Sequence, residues 1–351
     1  MSIPPVLRSL LTATGPSGYE TAPAEVWREA AGGFAEVTND VMGSSWARVK
    51  GTGGGPTLAI VGHIDEIGLI VTHIDDKGFL RFSGVGGWDP QILVGQRVEV
   101  ATRDGVVPGV IGKKPIHLLK DDERKKVAEL KDLHIDIGAN DADEARGLVR
   151  IGDVAVISGE PLELPNGRAA SRSMDNRLGC YVAYEAARLV AGAGGAPGDV
   201  VAVAAVQEET TFGGAATTAF SLKPDLAIVV DVTHATDAPG IDVNELGAHP
   251  FGSGPVIERG SNLNPKVFEL LYDTAEAEGI PYTVAASGRH TGTDADAMHL
   301  AAGGVPCGLI GLPLRYMHSP VEMVDLADIQ NSARLIAAAA QRLATDASFL
   351  R

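Results

Sequence analysis

Four short runs of consecutive apolar residues interrupt an otherwise mixed pattern: residues 57–62 (Thr-Leu-Ala-Ile-Val-Gly), 200–206, 225–230 (Asp-Leu-Ala-Ile-Val-Val) and 305–312. Runs of this kind, bounded by turn residues, read as strands buried on both faces of a helix-flanked sheet. Between them the spacing turns helical. Met174 to Val190 places Leu178, Val182, Ala186 and Leu189 on one face. Asn264-Pro265, then Val267, Leu270, Leu271 and Ala275, then Gly279, carries the start and stop signals of a complete helix. The alanine-rich stretch Asp325 to Leu350 predicts a closing helix. The middle of the chain differs. Phe79-Leu80-Arg81-Phe82, Arg97-Val98-Glu99-Val100, Val106-Val107 and Val154-Ala155-Val156 alternate or cluster between glycines, the pattern of a small β-barrel or sandwich. The expected organisation is an α/β domain made of residues 1–71 and 167–351, with a β domain of residues 72–166 inserted into it. No internal repeat is evident, and only Gly192 to Gly198 resembles a low-complexity loop.

Polar residues able to bind metal follow the apolar runs. His63 and Asp65 come after residues 57–62, Glu208 and Glu209 after 200–206, Asp231 after 225–230, and His318 just beyond 305–314. In an open α/β sheet the carboxyl ends of the strands border a crevice where ligands bind. Asp175, at the start of the helix from Met174, can reach across it. If Glu208 and Glu209 continue their strand, they point to opposite sides, leaving one for metal and one for water or substrate. Two histidines, three carboxylates and a free glutamate suit a pair of divalent ions such as zinc or cobalt. The set is too nitrogen-rich for calcium.

Composition narrows the classes without choosing among them. A length of 351 residues leaves room for two domains, and 45% hydrophobic with 21% charged residues is ordinary for a globular protein. No apolar stretch approaches the roughly 18 residues of a membrane span. A net charge of −16 and 5% aromatic residues argue against nucleic acid or anionic membrane as partners. Two cysteines, Cys180 and Cys307, and a start without signal-peptide features favour the cytoplasm.

The chain resembles the tetrahedral aminopeptidases, a group of dinuclear metallopeptidases that includes glutamyl and deblocking enzymes, some with an old cellulase annotation. The resemblance rests on Gly15-Pro16-Ser17-Gly18-Tyr19-Glu20, Gly62-His63-Ile64-Asp65-Glu66-Ile67-Gly68, Ile135-Asp136-Ile137-Gly138-Ala139 and Met174-Asp175-Asn176-Arg177. It continues through Val206-Gln207-Glu208-Glu209, Asp231-Val232-Thr233, Gly292-Thr293-Asp294-Ala295 and Arg315-Tyr316-Met317-His318-Ser319-Pro320. It implies an α/β/α zinc-peptidase catalytic domain with a mixed sheet, and an inserted small β-barrel or PDZ-like domain for dimerisation. It further implies that His63, Asp175 and Asp231 hold one metal and Asp175, Glu209 and His318 the other, with Asp175 bridging. Glu208 would be the general base, and Asp65 would accept a hydrogen bond from the far nitrogen of His63. Thr293 and Asp294 would border the substrate, with Arg259, Lys266 and Arg289 in the segment shaping the first side-chain pocket. A cation there would favour acidic residues, a neutral pocket leucine or methionine. Expected partners are peptides with a free amino terminus and copies of the same chain, paired as dimers within a twelve-subunit tetrahedron. The charge run Lys120 to Lys131 would be a solvated loop or helix, or an assembly contact.

Other readings of the same residues stand beside this one. A dinuclear deacylase or deacetylase would use the same ligands and base. A glycoside hydrolase would need two carboxylates flanking a sugar and no dinuclear set. Of the remaining histidines, His234 and His290 are those expected to approach the site.

Overall fold

All 351 residues, Met1–Arg351, are described by a computed structural model. The four apolar runs form the parallel centre of an 11-stranded mixed sheet, in the order Gly198–Ala205, Gly55–His63, Leu226–His234 and Cys307–Arg315. Leu58 through His63 are all buried, which explains the absence of alternation there. Antiparallel strands extend both flanks: Ser45–Val49 and Glu36–Asn39 on one side, Glu322–Asp325, Arg168–Ser171 and Leu162–Leu164 on the other. Val256–Gly260 pairs with Cys307–Arg315 and carries Thr283–Ser287 on its free edge.

Helices cover both faces unequally. The helices Pro5–Thr12, Thr21–Ala31, Met174–Gly192, Pro265–Glu278 and Leu326–Arg342 enclose a core of 51 buried residues. Gly213–Leu222 and Asp294–Met298 cover the opposite face over 15. The helix Met174–Gly192 lies so close on the central strand that a Cβ on Gly62 would come 2.3 Å from the carbonyl carbon of Gly179. Both crossing positions are glycine, so backbone meets backbone. Pro265–Glu278 begins and ends as its sequence predicts: Asn264 accepts hydrogen bonds from the amides of Lys266 and Val267, and Gly279 turns left-handed at φ 61°.

The closing helix is shorter than expected. It runs Leu326–Arg342, and residues 343–351 leave the helical path. The Asn264 side chain donates to the Phe349 carbonyl at 2.8 Å, Lys266 donates to the Ser348 carbonyl at 3.1 Å, and Phe349 is buried in the main core. The alanine-rich part stays helical, and beyond it Thr345, Asp346 and Ser348 are weak helix formers whose path these tertiary anchors fix.

Between Gly68 and Ile157 the chain closes a six-stranded barrel, in the order Gly68–Ile74, Leu80–Val85, His134–Asp136, Gly105–Gly112, Arg97–Thr102 and Val154–Ile157. Fifteen buried apolar residues, among them Leu69, Leu80, Val100 and Ile135, fill its interior. The run Lys120–Lys131 is an exposed stretch containing short 3-10 turns, with ion pairs such as Lys114–Glu123 and Lys131–Glu129 at its surface.

Candidate metal centre

Sheet register delivers the first ligand candidates. Ala205 pairs with His63, and Val61 pairs with Val229, so Asp231, two residues on, stands level with His63 at the same edge. Glu208 and Glu209 do not continue their strand. Gln207 takes a left-handed conformation at φ 59° and the two glutamates open a single helical turn, Glu208–Thr211. Their divergence comes from helical geometry and not from strand alternation. His318 is also left-handed, at φ 57°, which turns its ring back over the sheet edge. Non-glycine residues hold such a conformation only where their surroundings impose it.

The imidazoles and carboxylates converge. His63 Nε2 lies 3.2 Å from Asp175 Oδ1, 3.7 Å from Glu208 Oε2 and 3.8 Å from Asp231 Oδ1. His318 Nε2 lies 3.4 Å from Asp175 Oδ2 and 3.3 Å from Glu209 Oε1. Asp175 therefore faces one imidazole with each of its oxygens. Ligand atoms of His63, Asp175 and Glu209 fall within 4.8 Å of one another, and so do those of His63, Glu208 and Asp231. Glu208 thus stands as close to the ligand cluster as Asp231 does.

Buried polar groups fix these side chains from behind. His63 Nδ1 is 3.4 Å from Asp65 Oδ1 but has no hydrogen-bond partner, the alignment being unsuitable. Asp65 instead accepts from the backbone amides of Glu208 and Glu209, both at 3.1 Å. Glu322, which sequence reasoning missed, does the same elsewhere. It accepts from the amides of Asp175 at 3.1 Å and His318 at 2.8 Å. The ring of His318 meets the carbonyl of Gly87, a barrel residue, through Nδ1 at 3.0 Å. Donation from Nδ1 to that carbonyl turns Nε2 toward the carboxylates, where a metal ion could take the place of its proton. The only local signal for Glu322 is an acid four residues after His318, and Gly87 has none.

The donor set fits cations. No Lys or Arg lines the cavity in front of it. Burial pushes Glu208 up to about 10 and raises Glu209 and Asp231, so each is disfavoured as an anion without a positive partner. Burial works against protonated His63, yet Glu208, Asp175 and Asp65 hold its pKa well above the ordinary value. Hydrogen bonds to Asp175 and Glu209 take His318 to about 11. A divalent ion would replace those protons as the source of positive charge.

The cavity measures about 450 Å³, and Phe212, Val232, Thr233, His234, Glu258, Thr291, Gly292, Thr293 and Met317 complete its wall. Thr293 both lines it and caps the helix Asp294–Met298, accepting from the Ala295 amide. Asp294 is buried beneath, with neither oxygen hydrogen-bonded and its pKa raised by burial to about 7. Arg259 and Arg289 lie outside. Arg259 is exposed over the Phe268 ring, 5.3 Å from its centroid, and Arg289 points to solvent. Lys266 is held at the Ser348 carbonyl. Of the two histidines expected near the site, His234 lines the cavity and His290 is exposed, 4.0 Å from Asp296.

A cleft of buried acids and imidazoles at the carboxyl edge of a helix-covered sheet is the arrangement of a metal-dependent enzyme on an α/β fold. Comparison with known proteins narrows the class. A family model for M42 glutamyl aminopeptidases matches residues 43–335. The lysyl aminopeptidase of Pyrococcus furiosus is 34% identical over 348 residues, 96% of either chain. The crystal structure of a TET aminopeptidase from the marine sediment archaeon Thaumarchaeota archaeon SCGC AB-539-E09 matches with a TM-score of 0.91 at 37% identity, covering 96% of this chain and 95% of that one. The Pyrococcus horikoshii TET1 peptidase, described as able to assemble into a tetrahedron or a large octahedral shell, matches with a TM-score of 0.85 at 32% identity over 96% of this chain and 99% of that one. The chain belongs to the M42 glutamyl aminopeptidase family and is a hydrolase of the aminopeptidase type, in a family that works with divalent metal ions.

Proposed function

We propose that the protein removes the first residue from peptides with a free amino terminus, using two divalent ions and Glu208 as general base. His63, Asp175 and Asp231 would hold one ion, and Asp175, Glu209 and His318 the other. The observation that carries this reading is the orientation of Asp175, one oxygen toward each imidazole, as a bridging carboxylate requires. Nitrogen and oxygen donors of this kind favour zinc or cobalt. Bound there, such ions would supply Lewis acidity and bring the pKa of a bound water down toward about 7.

The chain's own groups do the rest. Glu208 takes a proton from the water that attacks the first peptide carbonyl, then gives it to the departing amine. Asp65 holds the backbone of Glu208 and Glu209 in place, and Glu322 that of Asp175 and His318, so the reacting groups enter turnover already oriented. The surplus of acid around the cavity suits a positively charged α-amino group, which would confine cleavage to the chain end.

Residues 72–166 would serve as the dimerisation insert, with dimers built into a tetrahedral dodecamer. Exposed Val106, Val110, Ile116, Leu118 and Val127 in this segment support that role, as does the assembly described for the Pyrococcus horikoshii relative. No helix is long and apolar enough to cross a membrane, and both cysteines are free thiols, which suits action in the cytoplasm.

The deacylase reading shares every ligand and differs in substrate. Metal-stripped protein reconstituted with zinc, cobalt or manganese is assayed on aminoacyl nitroanilides and matched acetylated peptides, beside Glu208→Gln. Metal-dependent release from free termini alone, lost in Glu208→Gln, is the expected result. Turnover of acylated substrates alone would move the protein to the deacylases.

A further inference from the structure

Among the charged residues lining the cavity, Glu258 alone takes no part in the proposed metal centre. Its carboxylate makes no hydrogen bond or ion pair within the chain, and it belongs to the strand Val256–Gly260. Gly311 is flanked by Thr233 and Glu258, such that a Cβ there would come 2.9 Å from Thr233 Cγ2 and 3.4 Å from Glu258 Oε1. The glycine thus lets these two cavity-lining side chains close over the strand, beside Asp231, which pairs with Gly311.

The position in the sheet sets which part of a substrate can reach Glu258. The strand of Cys307–Arg315 lies between those of Asp231 and Glu258. At about 4.8 Å per strand, the two backbones are on the order of 10 Å apart. A substrate's α-amino group sits one carbon from the carbonyl under attack and stays near the metal ligands. The end of a long side chain reaches further. Phe212, Val232 and Met317 give the same cavity an apolar portion suited to a methylene stem.

We propose that Glu258 sets the specificity of this cavity by receiving the cationic end of an N-terminal lysine or arginine. The inference rests on the aminopeptidase reading; it departs from the glutamyl preference in the family's description and agrees with the name of the Pyrococcus furiosus lysyl aminopeptidase. The cations that would reverse it, Arg259, Lys266 and Arg289, are absent from the wall. Burial raises the Glu258 carboxyl to about 7, so a cation bound beside it restores the charged form.

The test uses metal-loaded enzyme and the p-nitroanilides of lysine, arginine, leucine and glutamate. Wild type is expected to favour lysine and arginine and to reject glutamate. Glu258→Gln, nearly isosteric, should lower the lysine-to-leucine ratio of kcat/KM by about ten- to a hundredfold, chiefly through KM, as loss of a charged hydrogen-bond partner does. Glu258→Lys should turn the preference toward glutamate. Glutamate preferred by wild type would overturn the proposal, and so would an equal loss on lysine and leucine in Glu258→Gln, which would place Glu258 at the α-amino group or in the scaffold. Failure of wild type on all four substrates would overturn the aminopeptidase reading and this inference with it.

Discussion

The carboxyl edge of the central sheet and the interior of the barrel are made from the same few elements under opposite rules. At the edge, His63, Asp65, Asp175, Glu208, Asp231, Asp294 and Glu322 are all buried. Five non-glycine residues around it, Ser173, Gln207, Phe212, Tyr316 and His318, hold left-handed backbones. The barrel from Gly68 to Ile157 buries no polar or charged residue and has no left-handed residue other than glycine. Buried charge and backbone strain each cost stability, so a fold retains them where they perform a task. Here many of the buried charges and five of the eight left-handed non-glycine residues fall around one cleft, and the barrel follows ordinary packing.

That contrast predicts which substitutions separate turnover from stability. Glu208→Gln should have the largest effect on turnover, a loss on the order of 10²- to 10⁴-fold, with metal content retained. Steady-state kinetics beside metal analysis checks it, and loss of bound metal in this variant would make Glu208 a ligand. Glu322→Ala comes next. Releasing the amides of Asp175 and His318 should weaken metal binding by roughly 10- to 100-fold, measured by competition with a chelator. Unchanged affinity would mean that the ligands are held without it.

Smaller still should be the effect of Gly86→Ala, at a place where the barrel reaches the cleft. Gly86 has φ +73°, and a Cβ there would come 2.6 Å from Ile67 Cγ2 and 3.2 Å from Glu209 Oε2. Shifting this loop moves the Gly87 carbonyl that orients His318, and kcat/KM should fall on the order of tenfold. Wild-type kinetics would show that the loop only covers the site. Leu80→Ala, within the barrel, should leave turnover per folded molecule unchanged while costing about 2–5 kcal/mol in denaturant unfolding. A drop in kcat from this variant would show that the barrel interior is coupled to the chemistry.

Much of the molecule is legible residue by residue. The runs at 57–62, 200–206, 225–230 and 305–312 become the parallel centre of the sheet because burial on both faces tolerates no polar position. Asn264, Pro265 and Gly279 bound their helix as local backbone chemistry dictates. The tail after Arg342 could not be read this way, because its path depends on side chains of Asn264 and Lys266 far away in sequence. Nor could the turn at Gln207, where a left-handed residue ends a strand that the apolar pattern would prolong.

The sequence by itself determined the elements and the residue types brought to one edge, because periodicity and caps act over a few neighbouring positions. Only the tertiary structure decided that Asp175 divides its oxygens between two imidazoles, and that Gly87 meets His318 from 231 residues away. It also placed Glu258 on the cavity wall and Arg259 outside it, on successive residues of one strand. Adjacent strand residues face opposite ways, and which of them meets the cleft is set by the pairing of Val256–Gly260 with a strand about fifty residues on, not by anything local to the pair.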